Sequence, residues 1–464
     1  MSLPSSIDYT KILPIAAGNP RAMRRTFLPV NGQSFNAAGN NIVRIEISAD
    51  QFWDPLHSYL RFDVTNGANT CGADFGGGHG FIRRLRLEQA GNVIMDTNRY
   101  DRLLSAILLP CQSGADSQAH RSITEMQTYG NSVAAAAINT PAAVAVADGG
   151  YLTAIANDST QIAALATTQY CIPLVGGLFS QEKLVPLQLL SSSPLTIEIE
   201  LSPAADAMVS AGGGNTDYTM SNIRYIASLV DVSPDVDAQV RMVQEMSGGH
   251  IVLNSTDYTH FNGNIPANAV GMQAINVPAR RKSMKSLLWV GASQTALNFL
   301  NYRNSFGGGL NLNSYHAKIG SVNHPATPVE ANFNVNGPGG TALNGRGEAF
   351  MELSKCFGTT GSVIGLGQLN RMNYAVRTGT AAEGRTAAST PFHFAPMGLD
   401  LEAFQRTAIE SGVNTADRST PITLVLDIGT GAAGAIAEAL NIDCYVSFDS
   451  LYYIDSTGII SVSH

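Results

Sequence analysis

The stretch SSPLTIEIEL, Ser192–Leu201, reads as a strand with one buried face: Leu195, Ile197, Ile199 and Leu201 alternate with Thr196, Glu198 and Glu200. It recurs almost position for position as STPITLVLDI, Ser419–Ile428. Pro194 and Pro421 stand 227 residues apart in a chain of 464, close to half its length. In both copies proline opens the strand, where no ladder hydrogen bond is lost. A chain that spells the same half-buried strand twice at this spacing points to two copies of one β unit in tandem. The aliphatic face is kept between the copies, but on the opposite face Glu198 becomes Val425. That change predicts that the two copies meet different neighbours.

Other landmarks follow in the same order in each half. Val43, Ile45 and Ile47 alternate, HSYLRFDV is a second strand, and the glycine cluster Gly76–Gly80 is a turn region. FIRRLRLEQAGNVIMD reads as a strand pair turning at Gly91-Asn92. In RYDRLLSAILL, Tyr100, Leu103, Leu104, Ile107 and Leu108 fall at helical spacing, with Pro110 as the expected stop. Asn131 to Thr168, rich in Ala, Gly, Thr and Asn, is expected to be a long surface insertion. YCIPLV, KLVPLQLL and SNIRYIASLVDV complete the first set of strands.

SPDVDAQVRMVQEMSGG is a punctuated helix: Ser233 as N-cap, Pro234 at the first position, Asp235 and Asp237 toward the positive end of the dipole, Gly248 or Gly249 as stop. Beyond it come HIVLNSTDYTHF, AVGMQAINVP and SMKSLLWV, a loop reaching to about Gly347, a helix in EAFMELSKCFG, and the strands STPITLVLDI, NIDCYVSFDSLYYID and GIISVS. The two strands that begin Asn-Ile start at Asn222 and Asn441, 219 residues apart, and the helices near Arg99 and Glu348 are 249 apart. An ordered series of echoes signals duplication. The expected division is an N-terminal arm over 1–40, a first β unit over 41–232, a linker helix over 233–249 and a second β unit over 250–464. All-β repeats of this size fold as two tandem β-sandwiches or jelly rolls.

Composition narrows the function. Charged residues make up 14% of the chain, against about 25% for typical globular proteins. Low charge on a large chain suits an extensive subunit interface. A net charge of −8 argues against a body built to bind nucleic acid, although Arg21, Arg24 and Arg25, and Arg280, Arg281, Lys282 and Lys285, form local basic clusters. The five cysteines, Cys71, Cys111, Cys171, Cys356 and Cys444, are dispersed and suggest neither disulfide framework nor zinc site. MSLPSSIDYT shows no secretory signal pattern, so synthesis in a reducing compartment is expected, and the sequons at Asn157 and Asn254 read as chance.

One stretch mimics an enzyme. LVLDIGTGAAGAIAEAL places Gly429, Gly431 and Gly434 after a strand, with Asp449 20 residues after Gly429, as a dinucleotide-binding turn would. Only 30 residues follow Gly434, too few for the rest of a doubly wound sheet. The reading is therefore a small-residue turn between strands. His250, His260, His316 and His324 lack ligand spacing, and Glu198 with Glu200 reads as a solvated or inter-subunit face. Phe52, Trp53, Tyr59 and Trp289 read as core. No catalytic, cofactor-binding or metal-ligating residue is assigned.

With these residues assembled, the chain resembles the double jelly-roll major capsid proteins, most of all those of polinton-like viruses and virophages. The stretches that carry the resemblance are FWDPLHSYLRFDV, GFIRRLRLEQAGNVIMDTNRYDRLLSAI and IPLVGGLFSQEKLVPLQLLSSSPLTIEIEL in the first half. In the second they are ARRKSMKSLLWV, AFMELSKCF, SGVNTADRSTPITLVLDI and YYIDSTGIISVS. Relatives often carry an aromatic cluster after IPL; here Gly176, Gly177 and Leu178 stand there and only Phe179 is retained. The resemblance implies two eight-stranded jelly rolls and a homotrimeric, pseudo-hexagonal capsomer of an icosahedral virion. It also implies contacts with neighbouring capsomers and with penton and minor capsid proteins. Asn131–Thr168 and Asn301–Gly347 would be outer loops, and the arm bearing Arg21, Arg24 and Arg25 would face neighbours, an inner membrane or the genome. No small-molecule substrate is implied. The alternative is a tandem β-sandwich glycan-binding protein, and an enzyme built on the glycine-rich turn ranks third.

Overall fold

A computed structural model of the chain describes residues 20–69, 71–112, 120, 121, 123–125, 163–190, 193–209, 217–232, 234–293, 304, 312–331, 346–358, 369, 374, 395–403, 412–417, 421–429 and 439–464. The first half holds strands β1 (Arg21–Phe27), β2 (Ile42–Ile47), β3 (Phe52–Asn66), β4 (Ile82–Gln89) and β5 (Asn92–Asn98). Helix α1 follows as Tyr100–Arg102, a π-wound segment Leu103–Leu108, and Leu109–Gln112; then come β6 (Thr167–Ile172), β7 (Leu195–Leu201) and β8 (Tyr218–Asp231). Helix α2 (Pro234–Met246) leads to β9 (His250–Ile265), β10 (Gly271–Asn276), β11 (Met284–Ser293), β12 (Leu312–Ile319) and β13 (Val322–Glu330). Helix α3 (Arg346–Cys356), β14 (Met397–Asp400), β15 (Ile422–Ile428), β16 (Leu440–Asp455) and β17 (Ile460–Ser463) complete the chain.

The sheet orders prove the duplication. In the first half the strands lie in orders β1-β8-β3-β6 and β2-β7-β4-β5. In the second they lie in orders β9-β16-β11-β14 and β10-β15-β12-β13. Adding eight to every label of the first half reproduces the second. Each half is thus a pair of antiparallel sheets, each built on four strands in jelly-roll connectivity; Ser34–Phe35 and Val185–Pro186 add short pieces to the first half by pairing with β8 and β3, and β17 adds to the second by pairing with β16. The two echoed strands, β7 and β15, occupy the same place and share one burial pattern, with every second residue inward.

Alternation fixes each core, because inward side chains from the two sheets must fill the space between them. Phe62 stacks on Tyr170 at 5.4 Å, and Trp53 meets Phe179 and Tyr225 edge-on in the first half. Trp289 meets Tyr315 edge-on at 5.6 Å in the second.

Several expectations need correction. The arm over 1–40 does not extend so far: β1 pairs with β8 from Arg21↔Asp231 to Phe27↔Tyr225, and Ser34–Phe35 also pairs with β8. The loop expected from Asn301 to Gly347 contains the β12–β13 hairpin, a working part of the second sandwich. Pro110 does not stop α1, which continues to Gln112. LQLL, Leu187–Leu190, winds as a 3-10 turn rather than a strand, whereas Gly77–Phe81 of the glycine cluster forms a 3-10 turn in keeping with the expected turn region. The β4–β5 turn is Ala90-Gly91, both left-handed at φ 50° and 81°, with Gln89 paired to Asn92. Tyr59 is half-buried on an outer face, accepting a hydrogen bond from Arg24 at 3.1 Å, so it is not core. Most of Asn131–Thr168, the Ser233 cap, Gly431, Gly434 and the sequon at Asn157 lie outside the described residues.

Candidate functional site: the joint between the halves and the faces beside it

The most elaborate polar arrangement in the molecule lies where α1 of the first half rests on the second. Arg102 is 1% exposed, which only a full set of acceptors makes tolerable. Its Nε donates to Asp443 Oδ2 on β16 at 3.1 Å, Nη1 to the Asn304 carbonyl at 3.0 Å and Nη2 to the Gly291 carbonyl on β11 at 2.7 Å. Asp443 Oδ1 lies 2.8 Å from His260 Nε2 on β9. Burial alone would raise the Asp443 pKa, but the His260 hydrogen bond and the Arg102 charge hold it below the usual carboxylate range. Tyr445 donates its hydroxyl to the Arg99 carbonyl at 2.9 Å, and Arg99 reaches Asn304 Oδ1 at 3.1 Å. Asn304 in turn donates its backbone N–H to Asp74. First and second halves are therefore locked in one orientation by buried, directional bonds.

A second seam runs beside it. Ser255 on β9 donates to the Gly177 carbonyl at 2.7 Å. Gly177 sits at φ +50°, and a Cβ there would lie 2.6 Å from Met95 Sδ and 2.8 Å from the Tyr452 hydroxyl. This explains the glycines at the point where the sequence departs from the aromatic pattern after IPL. Asp257 is buried next to Gly176. Burial raises its pKa to about 7; the Tyr258 N–H and the Arg281 charge oppose the rise, and Asp96 adds to it. Gln89 closes the seam, donating to the Gly458 carbonyl at 2.8 Å and accepting the Ile460 N–H at 2.7 Å. Below, α2 straps the halves together, with Gln188 donating to Asp237 and Gln244 donating to the Ile454 carbonyl.

The outward faces of the echoed strands differ row by row. In the first half Glu198 lies between Arg44 and Arg86, bonded to Arg44 at 2.8 Å and near Arg86 at 3.7 Å. At the same place in the second half, Val425 lies between Ala274 and His316. One copy shows a ladder of alternating charge and the other a nearly uncharged row. Glu198 is therefore an ion-pair partner of the two arginines that flank it.

His260 serves the joint, and His316 is half-buried with a lowered pKa, chiefly through burial and then Lys318. All five cysteines are free thiols. Trp53 and Trp289 are both buried. Arg281 stacks over Phe448 at 4.1 Å and donates to Thr259, and Lys285 pairs with Glu402 at 3.1 Å, so the Arg280–Lys285 cluster is largely engaged within the chain. A cavity of about 270 Å³ opens beyond the end of α1, lined by Gln112, Tyr258, Lys285, Cys356 and Glu402 among others. Among the described residues no group of three or more His, Cys, Asp or Glu is placed to hold a metal ion. Nor is any described helix long and apolar enough to cross a membrane. Sequence reading missed the whole joint, because Arg102 and Asp443 are 341 residues apart.

No protein-family description matches the sequence, and no curated protein does. Solved structures match along nearly the full length. The major capsid protein of the virophage mavirus aligns at TM-score 0.55 and 9% identity, over 100% of this chain and 95% of that one. A chain of the Sputnik virophage structure aligns at TM-score 0.57 and 9% identity, over 100% and 92%. The Faustovirus major capsid protein aligns at TM-score 0.57 and 9% identity, over 95% and 92%. The chain has the fold of viral major capsid proteins. With the sheet orders, this fixes the fold class as all-β, a double jelly roll.

Proposed function

We propose that the chain is a major capsid protein, a non-enzymatic structural subunit whose work is assembly. The observation that carries this reading is the full-length double jelly roll, with two halves of one topology locked rigidly together. Two similar units in one rigid body give six near-equivalent corners when three chains meet, so a homotrimer is the natural capsomer. Capsomers then pack with one another into an icosahedral shell within the virion. Penton and minor capsid proteins are further proposed partners, and an inner membrane or genome is a proposed contact for residues 1–20. In the proposed division the first unit runs from Arg21 rather than 41 to 232, followed by the linker 233–249 and a second unit over 250–464.

The glycan-binding alternative rests on exposed aromatic platforms, and burial of both tryptophans removes its best candidates. Negative-stain imaging of the purified chain tests the proposal. Three-chain particles with a six-cornered outline are expected; a uniform field of single-chain particles would overturn it.

A further inference from the structure

The joint within one chain pairs a helix with the outer face of a sheet: α1 covers β9-β16-β11-β14 at Asp443. The duplication supplies both parts a second time. Helix α3 follows β13 as α1 follows β5, and sheet β1-β8-β3-β6 is the first-half counterpart of the covered sheet. In the second half Asp443, Tyr445 and Ser447 point outward from β16 and are buried. Their first-half counterparts on β8, counted from the Asn-Ile pairs at Asn222 and Asn441, are Arg224, Ile226 and Ser228. Arg224 and Ser228 are only half-buried.

The charges on these second parts are reversed. Arg224 stands where Asp443 does, and Arg61 lies directly across from it on β3. Like charges side by side on neighbouring strands repel. Neither has an ion-pair partner among the described residues, and Arg61 Nε is buried without a hydrogen-bond acceptor. Arg224 Nε donates only to Asn222 Oδ1, and nearby Asp63 is bonded by Asn222 Nδ2. On the helical side, α1 brings Arg102 to its acidic target, with Arg99 just before it paired to Asp101 and Asp206 of its own half, whereas α3 carries Glu348 and Glu352 on a face that also exposes Met351 at 44%. Glu348 has no ion-pair partner among the described residues, and Glu352 pairs only with Lys355 of its own helix.

We propose that α3 of one chain docks on the outer face of sheet β1-β8-β3-β6 of a second copy, with Glu348 and Glu352 meeting Arg224 and Arg61. This rests on the trimeric reading and specifies its contact. The intra-chain joint is basic helix on acidic sheet, and the inter-chain joint is acidic helix on basic sheet. A head-to-tail contact of this kind closes into a ring when the rotation per unit allows. The reversal also gives specificity, since α3 facing the Asp443 surface, or α1 facing Arg224, would set like charges together.

Sedimentation of Arg224→Glu, Glu348→Arg and the combined variant tests the contact, with thermal melting of each as a fold control. Each single reversal is expected to raise the trimer dissociation constant about 30-fold or more, and the combination to restore most of the loss. Single variants that assemble like the wild type would overturn the contact, and so would a combination no better than the singles. A wild-type chain that does not associate would instead defeat the trimeric reading itself.

Discussion

Arg102 ties the two halves together at one buried point. Its guanidinium is shared between a carboxylate and two carbonyls in a buried setting, so truncation leaves Asp443 buried with His260 but without its arginine and strips two carbonyls of their donor. Arg102→Ala is expected to cost about 3–5 kcal/mol in chemical denaturation, with loosened packing between halves seen as faster amide exchange along β16. Asp257 and Asp443 make the joint pH-dependent in opposite senses. Asp257 has a folded pKa near 7 against about 3.9 unfolded, so the folded chain holds the extra proton between those values. Its contribution is present below pH 4 and is lost as pH rises through 7, about 4 kcal/mol across the window. Asp443, with its lowered pKa, contributes above the unfolded value and is lost as pH falls below it. Stability of the joint should therefore peak between about pH 4 and 5 and decline toward neutrality. Asp257→Asn should flatten the neutral limb of a melting-temperature profile, and an unchanged profile would contradict the assignment.

At the scale of elements, sequence legibility followed burial. Strands with one face inward were readable, because β7 and β15 alternate without a break. Ile199→Ala should cost about 2–5 kcal/mol, measured by urea unfolding, since Ile199 is buried against both sheets' inner faces. Two edge strands with mostly exposed side chains were not readable. β1 exposes six of its seven residues and so shows no alternation, a pattern that reads as an extended arm. β13 is an edge strand with Pro325 and Pro328 and mostly exposed side chains, a pattern that reads as loop. The seam at Gly177 was visible only as a departure from an aromatic pattern; its close approach to Met95 and Tyr452 emerges from the fold. Gly177→Ala should destabilise by about 1–3 kcal/mol, because a Cβ is both crowded and strained there. The candidate site was the least legible part, since its bonds join residues hundreds of positions apart.

For the whole molecule, duplication gives one chain two linked units of one topology, which the proposed capsomer would use as two corners of a ring. The halves keep aliphatic side chains at the inward positions and change the outward ones, as Glu198 and Val425 show; a common core needs the same packing, and the proposed assembly would set each outward face against a different surface. The low charge of the chain fits an object whose outer faces are largely covered by copies of itself. The central claim, a structural subunit that assembles through threes, is tested most directly by the mass of the purified protein in solution. Light scattering across a tenfold dilution is expected to return three times the chain mass. A stable single-chain mass at every concentration would contradict the account.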